Sequence, residues 1–143
     1  MRQINQAGLD LIKQFEGLRL FAYKCPAGVW TIGYGHTGPD VHPKLQITKE
    51  RADMLLQQDV LWACKAVADN VKVALTDNQF SALVSLVFNI GESAFKKSTI
   101  LRMVNEGRLK DAQAQFARWN KVGGVPSIGL TRRRKAEAEL WAT

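Results

Sequence analysis

The sequence predicts an α+β fold, mostly helical, in which a small N-terminal β-containing lobe and a larger helical lobe are joined by a long helix. Three observations carry that expectation. Apolar residues recur at helical spacing through most of the 143 residues, most clearly at Phe80, Leu83, Val84, Val87 and Phe88. The period changes only once, in residues 18–37, where Leu18, Leu20 and Ala22 alternate with Arg19, Phe21 and Tyr23. No repeat, low-complexity tract or long linker divides the chain, so residues 1–143 read as one domain.

Residues 5–15 read as the first helix, capped by Asn5, with Leu9, Ile12 and Phe15 on one face. Gly17 ends it in the manner of a C-terminal cap. Glu16 therefore stands at the junction of helix and turn, where the helix end disfavours negative charge and favours a protonated carboxyl. The β-containing lobe covers about residues 16–47, a small antiparallel sheet with Pro26-Ala27-Gly28 as its turn and residues 38–46 as loop. Gly33 and Gly35 leave bare backbone there, which a sugar chain or a close-packed helix can approach.

A linking helix is expected over about 48–69, capped by Thr48, with an apolar stripe broken at Asp59. The helical lobe takes about 70–143, packed with the helix over 5–15. Its strongest element opens on a capping box, Thr76 and Gln79. Ser98 or Thr99 starts a short helix ending near Gly107, and Leu109 to Trp119 form another. Gly123-Gly124 reads as a loop. Thr131 is expected to cap a last helix whose first turn carries Arg132, Arg133, Arg134 and Lys135. Cations are unfavourable at that end of the helix dipole, so this run reads either as placed for an anionic partner or as a plainly solvated face.

Composition narrows the function classes. The net charge is +7. Residues 1–95 carry nine basic and nine acidic residues, whereas residues 96–143 carry eleven and four, so the excess is all C-terminal. A one-sided basic surface attracts a polyanion: nucleic acid, anionic lipid or bacterial wall. No run of 18 apolar residues predicts a membrane span, and the interrupted N-terminal pattern does not read as a signal peptide. Synthesis in the cytoplasm is the expectation. Cys25 and Cys64 form no CxxC pair and are expected to stay reduced, with Cys64 in the core. Asp40 and His42 lack a third ligand, so no metal or other cofactor is expected.

Candidate chemistry centres on Glu16, set among Phe15, Gly17 and Leu18. An acid in apolar surroundings can donate a proton near neutral pH, while the alternative is a surface acid paired with Arg19. Tyr23, Cys25, Thr31, Tyr34 and His36 lie on or beside the sheet. Thr31 can position a water; His36 reads first as a structural histidine, with a general base or a ligand as the alternatives. No carboxylate occurs between Glu16 and Asp40.

The run Glu16-Gly17-Leu18-Arg19-Leu20, then Tyr23-Lys24, then Thr31-Ile32-Gly33-Tyr34-Gly35-His36-Thr37 resembles the signature of the T-even phage lysozyme family, glycoside hydrolase family 24. Phe88-Asn89-Ile90-Gly91, Arg118-Trp119 and Leu130-Thr131-Arg132-Arg133-Arg134 extend the resemblance over essentially the whole chain. The resemblance implies a lysozyme-like fold and an endolysin that hydrolyses the β-1,4 bond between N-acetylmuramic acid and N-acetylglucosamine in bacterial peptidoglycan. It implies Glu16 as general acid, Thr31 beside the attacking water and His36 in a supporting place. The family's second acidic residue falls on Cys25, where this chain departs from the pattern.

Three other readings remain open on sequence alone. A lytic transglycosylase needs one acid/base glutamate and no second carboxylate. A thiol enzyme would pair Cys25 with His36. A non-catalytic basic module would bind wall or nucleic acid, although no nucleic-acid motif is present and nucleic acid is not the expected partner. The favoured partners are peptidoglycan and, through Arg132 to Lys135, an anionic wall or membrane surface. Nothing demands an oligomer, and a monomer acting on the wall after release across the inner membrane is the expectation.

Overall fold

The computed structural model describes residues 1–143 as two compact units, Lys13–Leu61 and Met1–Ile12 with Trp62–Thr143. The class is α+β, with a β-containing N-terminal lobe and a larger helical one.

The first helix, α1 (Gln6–Glu16), begins where Asn5 Oδ1 accepts the Gly8 amide at 3.0 Å. It ends at Gly17, whose φ of 75° is the left-handed value that a C-terminal cap requires. In the smaller unit β1 (Arg19–Lys24), β2 (Trp30–Gly33) and β3 (His36–Thr37) form an antiparallel sheet in sequence order. The Gly28 amide donates to the Cys25 carbonyl at 2.8 Å across Pro26-Ala27, closing the expected turn. Residues 38–47 run back along β1, where the Ala22 and Ile47 amides bond to Leu45 and Leu20. Helix α2 (Lys49–Asp59), capped by Thr48, lays Ala52, Leu55 and Leu56 against the β2 side of the sheet. Ile32, fully buried, is the centre of this small core.

The single linking helix expected over 48–69 is two helices, α2 and α3 (Leu61–Asn70), separated at Val60. Val60 keeps helical φ, but its ψ of −11° opens the ladder. Each segment buries its own apolar set: Ala52, Leu55 and Leu56 in one unit, Ala63, Cys64, Ala66 and Val67 in the other. The ladder is interrupted where one core gives way to the next.

The larger unit is organised around α4 (Asp77–Ile90), in which every residue from Phe80 to Val87 is buried. A helix buried on all sides is a central core helix. Both hydrogen bonds of the Thr76–Gln79 capping box are present, each 3.0 Å. The short α5 (Glu92–Lys96) was not anticipated; α6 (Thr99–Asn105) follows, with Ser98 as its cap. Helix α7 (Leu109–Gln115) runs into a single 3-10 turn, Phe116–Arg118. Gly123-Gly124 is more than a loop: it turns a two-stranded hairpin, β4 (Lys121–Val122) with β5 (Val125–Pro126). Both glycines have positive φ, 56° and 81°, as a tight hairpin turn of this hand demands.

The last helix, α8 (Ile128–Trp141), corrects the reading of the basic run. Its cap is Ser127, whose Oγ accepts the Leu130 amide at 3.2 Å, while the Thr131 hydroxyl donates back to the Ser127 carbonyl. The four cations thus sit beyond the first turn, and helix geometry divides them. Arg132 and Lys135 face solvent; Arg133 and Arg134 are buried. Glu137, also buried, lies 2.6 Å from Arg134 Nε and 3.4 Å from Arg133 Nε, and accepts the Ser85 hydroxyl. Burial pushes the Glu137 carboxyl up and the Arg134 guanidinium down, each partly offset by the opposite charge. Arg134 also donates to Asn89 and to the Trp119 carbonyl, joining two of the sequence motifs to this internal group. Arg133 and Arg134 are therefore structural cations and cannot form an exposed anion-binding patch. No helix is long and apolar enough to cross a membrane.

Candidate active site

Glu16, Cys25, Thr31 and His36 all belong to the smaller unit. Glu16 is the last residue of α1, half-buried, and Gly17 turns the chain at once into β1. A Cβ placed on Gly35 would lie 3.2 Å from Glu16 Oε2. The carboxylate thus rests against bare main chain just past β2. The two glycines anticipated as close-approach positions receive different neighbours: Gly33 backs onto Ala52 of α2, and Gly35 receives the acid.

Thr31 is buried in β2, directly across from Tyr23 on β1 and Thr37 on β3. Its hydroxyl donates to the Val29 carbonyl at 3.0 Å. That leaves the oxygen's lone pairs as its free function. Cys25, at the end of β1, is half-exposed, and its sulfur is faced by the backbone N–H of Val29, then that of Ala27, and by the Thr31 hydroxyl. These donors hold the thiol below its ordinary pKa, outweighing the small opposing effect of burial. Thr31 has one proton and two acceptors for it, the Val29 carbonyl and the sulfur. Cys64, by contrast, is fully buried, and burial pushes its thiol up; both cysteines are free.

His36 is directly across from Ile32, one residue out of phase with Thr31. Strand alternation therefore places it on the opposite face of the sheet, the face covered by α2. Its Nδ1 lies 2.7 Å from Asp59 Oδ2 and its Nε2 3.0 Å from Asp40 Oδ2. Both ring nitrogens are thus engaged by carboxylates, which ties the 38–47 loop and α2 to β3. Burial lowers the imidazole pKa, but the Asp59 and Asp40 carboxylates overcome it and hold the value above the ordinary 6.5. The His36 bond likewise holds Asp40 below its usual range, ahead of a small opposing effect of burial. This arrangement removes the thiol-enzyme reading, because a Cys25–His36 dyad needs the two on one face. It also draws Asp40 away from the pairing considered with His42. The sequence carried one sign of Asp59, the charge that breaks the α2 stripe.

A raised histidine pKa contributes stability that is fully present below the unfolded value and lost as pH rises through the folded one. The thermal-stability gap between parent and His36→Gln should therefore be widest near pH ~6 and narrow toward pH ~9. Melting temperatures across that range check it; a constant gap would mean that the ion pairs contribute nothing.

Comparison with known proteins identifies the family. The family pattern described as phage lysozyme matches residues 13–137. The endolysin of Bacillus phage PZA is 48% identical over 141 residues, covering 97% of this chain and 55% of that protein. The chain spans about half the length of this relative and of the Bacillus phage B103 endolysin. Among solved structures, the muramidase domain of SpmX from Asticaccaulis excentricus has 44% identity and a TM-score of 0.92, covering 100% of this chain and 99% of that one. A P22 lysozyme variant has 41% identity and a TM-score of 0.94, with 100% of both chains covered. The pattern match over residues 13–137, running through both units, and relatives and structures more than 40% identical show that the chain belongs to the phage lysozyme family.

Proposed function

We propose that the chain is an endolysin-type muramidase that hydrolyses the β-1,4 bond between N-acetylmuramic acid and N-acetylglucosamine in peptidoglycan. The observation that carries this reading is the seat of Glu16 against Gly35, beside the strand that holds Thr31 and its neighbour Cys25. In the proposed reaction Glu16 gives its proton to the glycosidic oxygen as the bond to the muramoyl carbon breaks. Thr31, its own proton given to Val29, accepts a hydrogen bond from water and aims the water oxygen at that carbon. Ionised Cys25, on which the family's second acidic residue falls in the resemblance, takes the proton that the water loses. His36 acts through position alone, by holding the 38–47 loop to α2. The protein is made in the host cytoplasm in this reading and meets the wall after release across the inner membrane, acting as a monomer.

Product analysis of purified peptidoglycan tests the reaction. Reducing muramic ends are expected; 1,6-anhydro ends would replace hydrolysis by transglycosylation, and uncut glycan would end the proposal.

Cys25 has its own test. Cys25→Ala should lower the hydrolysis rate by roughly 10²-fold. Cys25→Asp should keep or raise it, and should move the acid limb of the pH–rate profile several units lower, because a carboxyl ionises well below a thiol. Parent-level hydrolysis by the alanine variant would make the thiol a bystander.

A further inference from the structure

The β4–β5 hairpin and the start of α8 expose three β-branched apolar side chains that serve no core. Val122 and Val125, paired across the Gly123-Gly124 turn, are each 65% exposed, and Ile128 is 75% exposed. An apolar group raised on a hairpin tip is the kind of exposed patch that marks an interaction surface. The tip has no hydrogen-bonding side chain between Val122 and Pro126, and none of the three apolar residues is aromatic. It lacks the stacking rings and amide or hydroxyl groups with which proteins hold sugars, and it is suited to an environment of hydrocarbon.

The stretch of sequence around it is charged with one sign. From Ala112 to Ala136 the chain holds six basic residues and no acidic one. Arg133 and Arg134 are internal; Arg118, Lys121, Arg132 and Lys135 are exposed. Lys121 precedes Val122 in β4 and, by strand alternation, stands at the other face of the narrow hairpin, next to its edge. Ile128, Arg132 and Lys135 follow one another at i, i+4 and i+7, so the exposed stripe of α8 runs from an apolar residue into two cations before Glu139 ends it one turn further from the hairpin. Apolar side chains at the end of a rigid element, with basic residues beside them, combine the two signals that hold a protein at an anionic bilayer surface.

We propose that the β4–β5 hairpin is a docking element for an anionic phospholipid surface, with Val122, Val125 and Ile128 entering the interface and Lys121, Arg132 and Lys135 meeting the headgroups. The inference does not depend on the muramidase reading. Fold and hairpin braces are spared by changes at the tip, since the root is held separately by the Ser127 amide on the Asn120 carbonyl and by the Asn120 side chain on Thr131.

The test is sedimentation of the full chain with vesicles of phosphatidylcholine alone and of phosphatidylcholine mixed with phosphatidylglycerol. The parent should partition onto the anionic vesicles and release as salt rises. The double variant V122S/V125S, and separately Ile128→Ser, should each lower that partitioning by about tenfold while hydrolysis of purified peptidoglycan is unchanged. Lys121→Glu with Arg132→Glu should abolish the preference for anionic over neutral vesicles. Equal binding of the parent to both vesicle types overturns the proposal, as does unchanged partitioning of the serine variants. Serine variants that bind vesicles normally but lose turnover on purified peptidoglycan would assign the tip to glycan instead.

Discussion

Glu16→Gln is expected to lower hydrolysis of purified peptidoglycan by roughly 10²–10⁴-fold or more, the share of rate that a positioned general acid supplies. The substitution keeps the shape of the side chain, so its contact with Gly35 is preserved. What it removes is the acidic O–H, and an amide cannot protonate a departing sugar oxygen. The measurement is the release of reducing ends from washed sacculi, with a thermal melt to show that the variant still unfolds cooperatively. Near-parent turnover by a folded glutamine variant would remove Glu16 from the reaction and the proposed mechanism with it.

The largest effect on stability is expected at Glu137. Its carboxylate is fully buried and is met by Arg134, Arg133 and the Ser85 hydroxyl. Glu137→Ala leaves two arginines inside the fold without the anion between them. Removing one partner of a buried ion pair costs about 3–5 kcal/mol, a large part of the ~5–15 kcal/mol that holds a domain folded. Urea unfolding should show a loss of that size. Replacing Glu137 and Arg134 together by methionine should recover part of it, because the uncompensated charge goes as well as the partner. A loss below about 1 kcal/mol for Glu137→Ala would show that the arginines find other partners readily.

How far the sequence disclosed these features depended on how local their causes are. The Thr76–Gln79 box, the Asn5 cap and the Pro26-Ala27-Gly28 turn act within three or four residues, and each was legible. The start of α8 was not. Ser127 and Thr131 are one helical turn apart and both can cap, and the choice falls to the structure around the Asn120–Ser127 brace. The fate of Arg133 and Arg134 was hidden for a different reason. A run of four cations reads as solvated, and only the buried anion three and four residues later, together with Ser85 from α4, shows two of them turning inward. At the candidate site the same division holds. Glu16, Cys25 and Thr31 could be singled out as candidates from spacing and family pattern, and their placement in one unit is a local matter of a helix end and two paired strands. The partners of His36 lie 4 and 23 residues away, and a contact across 23 residues leaves no periodic trace. The first two donors around the Cys25 sulfur, at Val29 and Ala27, are main-chain groups, which no residue letter records.

The seat of Glu16 on Gly35 has a consequence for how such a site can change over time. On the side of Gly35 the acid meets peptide backbone, where a side chain would stand 3.2 Å from Glu16 Oε2. Any residue larger than glycine would also need a backbone angle, φ of 83°, that L side chains rarely adopt. Change at position 35 is thereby closed off, and variation around Glu16 is steered to other positions, Cys25 among them.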